Sequence, residues 1–256
     1  MARTLVLAAG LGTRLRPLTD RVPKCLVPVA GRPLLDYWQD AFARDGLLDA
    51  RINVHAHAEQ VRAWVAARNA EGPVAWSVFE EPALLGSGGT LRANLAWLEG
   101  SDDGVFVVVY ADNASAVDFR ALLAFHRERA AEVTMALFDA PDPRACGIAT
   151  LDAEDRIVDF VEKPSAPAST LANAGIYAVS TGALDEALAH AVPKGDVLDL
   201  GHDVLPRLAG RMHGFRIDGY HRDVGTPEAL AEIERDVRAG ALRARAQART
   251  AEGRAR

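Results

Sequence analysis

The chain has 256 residues, of which 49% are hydrophobic and 25% are charged. This apolar content is enough for the core of one large α/β domain or of two small ones. The net charge of −6 provides no basic face, so the composition argues against nucleic acid as a partner.

The apolar start of the chain, MARTLVLAAG, is shorter than a membrane span and lacks the cleavage site of a signal peptide. Two cysteines, Cys25 and Cys146, cannot form a disulfide framework and favour a reducing compartment. We therefore expect a cytoplasmic protein that has no membrane partner.

Short β-rich runs alternate with helical patterns along the first half of the chain. The predicted strands are 4–8, 51–54, 74–79, 105–110 and 133–138. The predicted helices between them are 34–45, 58–69, 88–98 and 118–128. This alternation predicts an α/β protein with helices on both faces of a mostly parallel central sheet. Because such sheets bind ligands beyond the carboxyl ends of their strands, we expect the chemistry just after strands.

The second half is less regular. Residues 147–151 and 156–162 flank a short acidic turn and predict a β-hairpin. Further elements are predicted at 174–179 (strand), 197–208 (helix), 212–217 (strand) and 227–238 (helix). Thr226 is the predicted N-cap of the last helix, with Pro227 in its first turn. Residues 241–256 are rich in Ala and Arg and are expected to form a flexible tail.

A glycine-rich loop, AAGLGTRLRP, follows the first predicted strand. Gly10 and Gly12 would allow backbone N–H groups to approach a phosphate closely. The loop is not a dinucleotide fingerprint, because Leu15 occupies the third glycine position, and it lacks the Gly-Lys-Ser/Thr of a P-loop. The cations Arg14 and Lys24 follow, and a polyphosphate needs such neutralisation before an anionic nucleophile can approach.

The segment LAAGLGTRLRPLTDRVPKCLVPVAGRPLL, residues 7–35, resembles the signature of the sugar-1-phosphate nucleotidyltransferases, also called NDP-sugar pyrophosphorylases. Cys25 is a small departure, since the family commonly has proline after the motif lysine. The resemblance continues to about residue 235, and the ending GYHRDVGTP is most similar to mannose- or heptose-1-phosphate guanylyltransferases.

The resemblance implies a Rossmann-like three-layer α/β/α fold of the GT-A-like type. It implies that a nucleoside triphosphate reacts with a sugar 1-phosphate to give an NDP-sugar and pyrophosphate. Arg14 would hold the β- and γ-phosphates, and Lys24 would neutralise the α-phosphate. The implied nucleotide-binding residues are Ala8, Gly10, Gly12, Thr13, Glu81 and Gly86.

The choice of nucleobase stays open at the sequence level. Residues 79–90, FEEPALLGSGGT, resemble the nucleobase segment, in which Glu81 and the backbone near Gly86 would contact the base edge. A carboxylate can accept two hydrogen bonds from guanine. Guanylyltransferases are expected to have a shorter Glu-Pro-Leu-Gly spacing, so GTP is favoured only modestly.

Two aspartates are implied to bind Mg²⁺. Asp112 directly follows the predicted strand 105–110, where a ligand for a hard cation is expected. Without the family resemblance, capping of a turn would explain Asp112 equally well. Asp223 belongs to the closing motif Asp-x-Gly-Thr-Pro and would be the second ligand.

The resemblance also implies a binding site for the sugar phosphate, formed by four residues of the second half of the chain. Gly147 lies in a turn whose backbone would contact the sugar, and Asn173 lies in an Asn-Ala-Gly strand. Glu162 and Lys163 belong to a Glu-Lys-Pro motif, in which Glu162 would accept sugar hydroxyls and Lys163 would hold the sugar phosphate. A surface ion pair is the alternative explanation for Glu162 and Lys163.

We expect one domain over 1–240, with a nucleotide-binding half at 1–112 and a sugar-phosphate-binding half at 113–240. A homodimer is common among similar proteins. Three alternatives remain open: a thymidylyl-, uridylyl- or cytidylyltransferase for another sugar or alcohol phosphate, a non-catalytic nucleotide-sensing subunit, and a nicotinamide-dependent oxidoreductase. The last lacks the third glycine and an evident ribose-binding acid.

Overall fold

The structure is a computed structural model that describes residues 2–193 and 196–242. Most of the predicted tail 241–256 lies outside the described residues. No helix among residues 2–193 and 196–242 is long and apolar enough to cross a membrane.

The described residues form thirteen strands and six α-helices. The strands are β1 (Arg3–Leu7), β2 (Pro28–Val29), β3 (Arg32–Pro33), β4 (Asp49–Val54), β5 (Ala75–Glu80), β6 (Val105–Tyr110), β7 (Asn113–Ser115), β8 (Val133–Asp139), β9 (Gly147–Leu151), β10 (Arg156–Glu162), β11 (Leu171–Ser180), β12 (Met212–Arg216) and β13 (His221–Asp223). The helices are α1 (Leu34–Asp45), α2 (Ala58–Glu71), α3 (Gly86–Leu98), α4 (Phe119–Glu128), α5 (Asp185–Ala189) and α6 (Pro227–Arg238).

Nine of the strands form one sheet in the order β5-β4-β1-β6-β11-β8-β12-β10-β9. The neighbours from β5 to β6 are parallel, as predicted for the first half of the chain. Strand β11 lies antiparallel between β6 and β8, so the complete sheet is mixed. The chain reverses through the β9–β10 hairpin before β11, and antiparallel strands need no crossover helix.

Two hydrophobic cores cover the two faces of the sheet. Because side chains alternate along a strand, Val107 and Val109 of β6 enter one core, whereas Phe106 and Val108 enter the other. The first core packs against α1, α2 and α4, and the second packs against α3 and α5. Complete burial of a side chain of this size stabilises the fold by about 1.5–3 kcal/mol relative to exposure.

The predicted helix at 197–208 is wrong. A π-helical turn at Leu200–Val204 and a 3-10 turn at Leu205–Leu208 take its place. The side chain of Asp199 accepts a hydrogen bond from the His202 N–H at 2.9 Å, so the helical turn starts only after Asp199. Pro206 has no N–H to donate to the His202 carbonyl and its ring crowds that carbonyl, so a regular α-helix cannot run through 200–206.

A short ribbon of β7 and β13 joins two distant parts of the chain. Its register pairs Asn113 with Asp223. Because β7 begins three residues after β6 ends, the ribbon places residues 221–223 at the carboxyl end of a central parallel strand. Thr226 then caps α6 by accepting a hydrogen bond from the Ala229 N–H at 3.2 Å, as predicted.

Candidate active site

The amino group of Lys24 lies between two carboxylates. Its Nζ is 2.6 Å from Oδ2 of Asp112 and 3.2 Å from Oδ1 of Asp223. Asp112 follows β6, Asp223 ends β13, and Lys24 begins a 3-10 turn at Lys24–Leu26. Three segments that are remote in sequence therefore bring these charges together, and the Lys24 side chain is only 10% exposed.

Burial and charge act in opposite directions on this cluster. Burial lowers the pKa of Lys24, but the charges of Asp112 and Asp223 outweigh burial and raise this pKa overall. Burial raises the pKa of Asp223, and the charge of Asp112 raises it further, against the opposing effects of Lys24 and Arg14. Two carboxylates in a half-buried site need cationic partners, and carboxylate oxygens are suitable ligands for a hard divalent ion.

A cavity of about 330 Å³ opens beside Lys24 and Asp112, at the carboxyl ends of β1, β4 and β6. We call it the first cavity. Among the predicted nucleotide-binding residues, Ala8, Gly10, Glu81 and Gly86 line it. Its remaining lining residues are Leu7, Ala9, Lys24, Cys25, Asn53, Leu84, Ser87, Thr90, Tyr110, Ala111, Asp112, Val197 and Asp199.

A second cavity of about 250 Å³ lies on the other side of Asp112. Gly147, Glu162 and Asn173 line it, as do Asp223 and Asp112. The two cavities share three lining residues: Tyr110, Asp112 and Asp199. The carboxylate cluster therefore stands where the two cavities meet, so a molecule in each could approach the same point.

The Asn173 side chain is held by its own strand. Its Oδ1 accepts a hydrogen bond from the Gly175 N–H at 2.9 Å, and its Nδ2 donates to the Tyr177 hydroxyl at 2.7 Å. Glu162 also lines this cavity; burial is the main cause of its raised pKa, and the charge of Lys163 opposes it. Asn173 thus presents a fixed amide to the second cavity.

At two positions of this site, only glycine leaves room for the neighbouring side chains. A Cβ at Gly12 would lie 3.0 Å from Thr19 Cγ2 and 3.3 Å from Lys24 Cβ, and its φ of +61° also favours glycine. A Cβ at Gly147 would lie 2.5 Å from Oε2 of Glu162. Gly12 therefore allows Lys24 to pack against the glycine loop, and Gly147 makes room for Glu162.

Four predicted site residues are not among those lining the two cavities: Gly12, Thr13, Arg14 and Lys163. Thr13 begins a 3-10 turn at Thr13–Leu15. The Arg14 side chain is 68% exposed and lies 3.7 Å from Asp223. The ammonium of Lys163 is also exposed and lies 4.0 Å from Oε1 of Glu162, so both cations stand at the rim of the site.

Several polar residues of the cavities, above all Asn53 and Asp199, were not predicted from the sequence. Asn53 is a polar residue between Ile52 and Val54 in the predicted strand 51–54, and this contrast was the available signal. Asp199 lies inside the segment that was wrongly predicted as a helix. Its Oδ2 accepts a hydrogen bond from the Ser87 hydroxyl at 3.1 Å. This contact connects the start of α3 with a segment 112 residues further along the chain.

Solved structures share this architecture. A Bacillus anthracis protein assigned as a glucose-1-phosphate thymidylyltransferase, in complex with a sucrose, superposes with a TM-score of 0.81 at 21% identity, covering 93% of this chain and 96% of its own. HddC from Yersinia pseudotuberculosis, complexed with GMP-PN, superposes with a TM-score of 0.72 at 22% identity, covering 93% of this chain and 100% of its own. This likeness defines the class of fold and confirms the predicted Rossmann-like α/β/α fold.

The family follows from the sequence. A family model described as Nucleotidyl transferase matches residues 3–240, so the chain belongs to the nucleotidyl transferase family. Mannose-1-phosphate guanylyltransferase of Mycobacterium tuberculosis is 34% identical over 237 residues, which are 91% of this chain. The chain spans 64% of the length of that relative.

Proposed function

We propose that this protein transfers a nucleotidyl group from a nucleoside triphosphate to a sugar 1-phosphate and releases pyrophosphate. The observation that carries the proposal is the position of Lys24, within 3.2 Å of both Asp112 and Asp223 where the two cavities meet. Residues up to 112 supply most of the lining of the first cavity, and later residues supply most of the second. This distribution supports a nucleotide-binding half at 1–112 and a sugar-phosphate-binding half at 113–240.

In the proposed reaction an oxygen of the sugar phosphate attacks the α-phosphorus in line, and the bond to the β-phosphate oxygen breaks. No general base is required, because the attacking phosphate is already ionised. Lys24 would neutralise the α-phosphate, and its contacts with the two carboxylates hold its amino group in place before substrate binds. Positioning and charge neutralisation would supply the rate.

Arg14 and Lys163, the two cations at the rim of the site, would each bind phosphate groups of one substrate. Arg14 would hold the β- and γ-phosphates together with backbone N–H groups of the glycine loop. Lys163 would hold the phosphate of the sugar. Both side chains are exposed, so each can move towards a ligand without leaving a buried position.

Asp112 and Asp223 would hold Mg²⁺, which we propose as the cofactor. An oxygen of each lies within 3.2 Å of Lys24 Nζ, and the raised pKa of Asp223 reflects burial and the nearby charge of Asp112. When bound, Mg²⁺ would neutralise charge on the reacting phosphates. Within residues 2–193 and 196–242, no group of three or more His, Cys, Asp or Glu side chains could hold a metal. Mg²⁺ bound by one or two carboxylates commonly takes its other ligands from substrate phosphates and water.

GTP with a mannose- or heptose-type sugar 1-phosphate is the favoured substrate pair. The guanylyltransferase relative at 34% identity and the GMP-PN complex of HddC support guanine. The thymidylyltransferase assignment of the Bacillus anthracis neighbour keeps TTP as the alternative.

The proposal also includes the location and the assembly of the protein. Two free cysteines support action in the cytoplasm, and we propose that the protein is a homodimer.

The test is pyrophosphate release with each nucleoside triphosphate against a panel of sugar 1-phosphates, in Mg²⁺ and in EDTA. We expect the highest rate with GTP and a mannose- or heptose-type substrate, and no release in EDTA. A nucleotide-sensing protein would bind a nucleoside triphosphate but release no pyrophosphate with any pair, and this result would overturn the proposal.

A further inference from the structure

A buried network of hydrogen bonds connects two walls of the first cavity. Its centre is Asn53, near the end of β4, which is 3% exposed. Asn53 Oδ1 accepts a hydrogen bond from the Ala8 N–H of the glycine loop at 2.5 Å. Asn53 Nδ2 donates to Oε1 of Glu81 at 2.8 Å and to the Thr90 hydroxyl oxygen at 3.2 Å. One side chain therefore connects the glycine loop, the segment after β5 and helix α3.

The carboxylate of Glu81 is largely occupied by this network. Its Oε1 accepts hydrogen bonds from Asn53 and from the Thr90 hydroxyl, and its Oε2 accepts one from the Leu85 N–H at 3.2 Å. A carboxylate has about four acceptor sites, so one remains, on Oε2. Glu81 lines the first cavity although it is only 2% exposed. It can offer a nucleobase one acceptor whose position is fixed by its neighbours.

We propose that Asn53 is a positioning residue that fixes the distance between the base-recognition segment and the phosphate-binding loop. The inference rests on the proposed function, in which Glu81 meets the base and the glycine loop meets the triphosphate. A nucleotide must satisfy both ends at once, so a side chain that joins the two walls prepares the cavity for it before binding. Asn53 does this with its two ends: an acceptor towards Ala8 and a donor towards Glu81.

The two ends can be separated by substitution. Asn53→Asp keeps an acceptor for the Ala8 N–H but removes the donor to Glu81 and places a second carboxylate beside it. Asn53→Ala removes both ends, whereas Thr90→Val removes the second donor to Glu81 together with one of the two acceptors of Asn53 Nδ2. Thr4→Val on the neighbouring strand β1 is a matched control, because Thr4 is fully buried and its hydroxyl has no hydrogen-bond partner.

The experiment measures the Kd of GTP, of TTP and of inorganic tripolyphosphate by calorimetry, with thermal unfolding as a check that each variant is folded. We expect Asn53→Asp to weaken GTP about tenfold and to reduce the GTP/TTP preference, with tripolyphosphate within about twofold of wild type. Asn53→Ala should weaken all three ligands, Thr90→Val should weaken GTP alone by less than Asn53→Asp, and Thr4→Val should change none. In turnover, the KM of the sugar 1-phosphate should stay unchanged.

An unchanged GTP affinity and GTP/TTP preference in folded Asn53→Asp and Thr90→Val would overturn the proposal. Equal losses of GTP, tripolyphosphate and sugar 1-phosphate in Asn53→Asp would also overturn it, because they would indicate a general structural role. Binding does not require turnover. If wild type binds GTP but releases no pyrophosphate, the proposed function fails while these Kd values still decide the role of Asn53.

Discussion

The backbone N–H of Val224 donates a hydrogen bond to the carbonyl oxygen of Asp112 over 2.8 Å. Because Asp223 directly precedes Val224, this bond and the β7–β13 ribbon hold the two acidic segments side by side. The carboxylates converge on Lys24 from a scaffold of backbone hydrogen bonds, which does not depend on a bound ligand. The geometry of the carboxylate cluster is thus set by the backbone, as the proposed electrostatic stabilisation of a transition state would require.

Replacement of Lys24 by Ala should lower turnover by about 10²–10³-fold, because a preorganised charge at the α-phosphate is lost. Pyrophosphate release at saturating substrates measures this, and a cooperative thermal transition shows that the fold is kept. Arg21→Ala is the control, since Arg21 is an exposed cation in the same loop region, and its turnover should be unchanged. Near-normal turnover of a folded Lys24→Ala variant would remove Lys24 from the mechanism.

Replacement of Gly147 by Ala should damage the second cavity selectively. The new Cβ would lie 2.5 Å from Oε2 of Glu162 and 2.6 Å from Phe160 Cζ, so Glu162 must move. We expect the KM of the sugar 1-phosphate to rise about tenfold through misplacement of Glu162. Overpacking should lower the free energy of unfolding by about 1–3 kcal/mol. The KM of the nucleoside triphosphate is the internal control, and an equal rise in both KM values would contradict the assignment of the cavity.

Stability should fall in acid because of His126. Burial, followed by the charges of Arg127 and His213, lowers the pKa of His126 to about 4. Its ring nitrogens lie 2.9 and 3.1 Å from the hydroxyl oxygens of Thr134 and Ser180. A histidine in the unfolded chain has a pKa of about 6.5, so between that pH and about 4 the unfolded chain binds a proton that the native state excludes. The contribution of neutral His126 to the free energy of unfolding is therefore complete above pH ~6.5. It decreases as the pH falls towards 4, by up to about 3 kcal/mol.

Urea unfolding between pH 4 and 7 measures this dependence. His126→Gln should reduce the slope of the free energy of unfolding against pH. Part of this slope remains, because burial also lowers the pKa of His221 to about 4. His190→Gln is the control, since His190 is exposed, and it should leave the slope as in wild type. An identical slope in His126→Gln and wild type would show that His126 is not the group that titrates.

The sequence was most informative where function imposes a local pattern. Asp112 directly follows a continuously apolar strand, and Lys24 belongs to a long motif, so both were predicted to be in the site. The bounds of α1, β6, β9, β10 and α6 were also predicted residue for residue, because caps, turns and periodicity are local signals.

The features of the fold and of the site that were not predicted from the sequence depend on contacts between distant segments. Asn53 acquires its role only because Ala8, Glu81 and Thr90 meet it from other elements. The apolar spacing of 197–208 resembles a helix, but the Leu198 carbonyl accepts hydrogen bonds from the N–H groups at the start of α3. Tertiary contacts thus decide these parts, and the sequence marks them only by Asn53 inside a strand pattern and Pro206 inside a helical pattern.

The central claim is that Asp112 and Asp223 bind one shared divalent ion beside the reacting phosphates. Its most direct test is the Mg²⁺ concentration for half-maximal pyrophosphate release in wild type, Asp112→Asn, Asp223→Asn and the double variant. Ligands of one ion act as a unit, so we predict that each single change raises this concentration at least about tenfold and that the double change adds little. Additive effects of the two changes, or a normal Mg²⁺ requirement in either single variant, would contradict the claim.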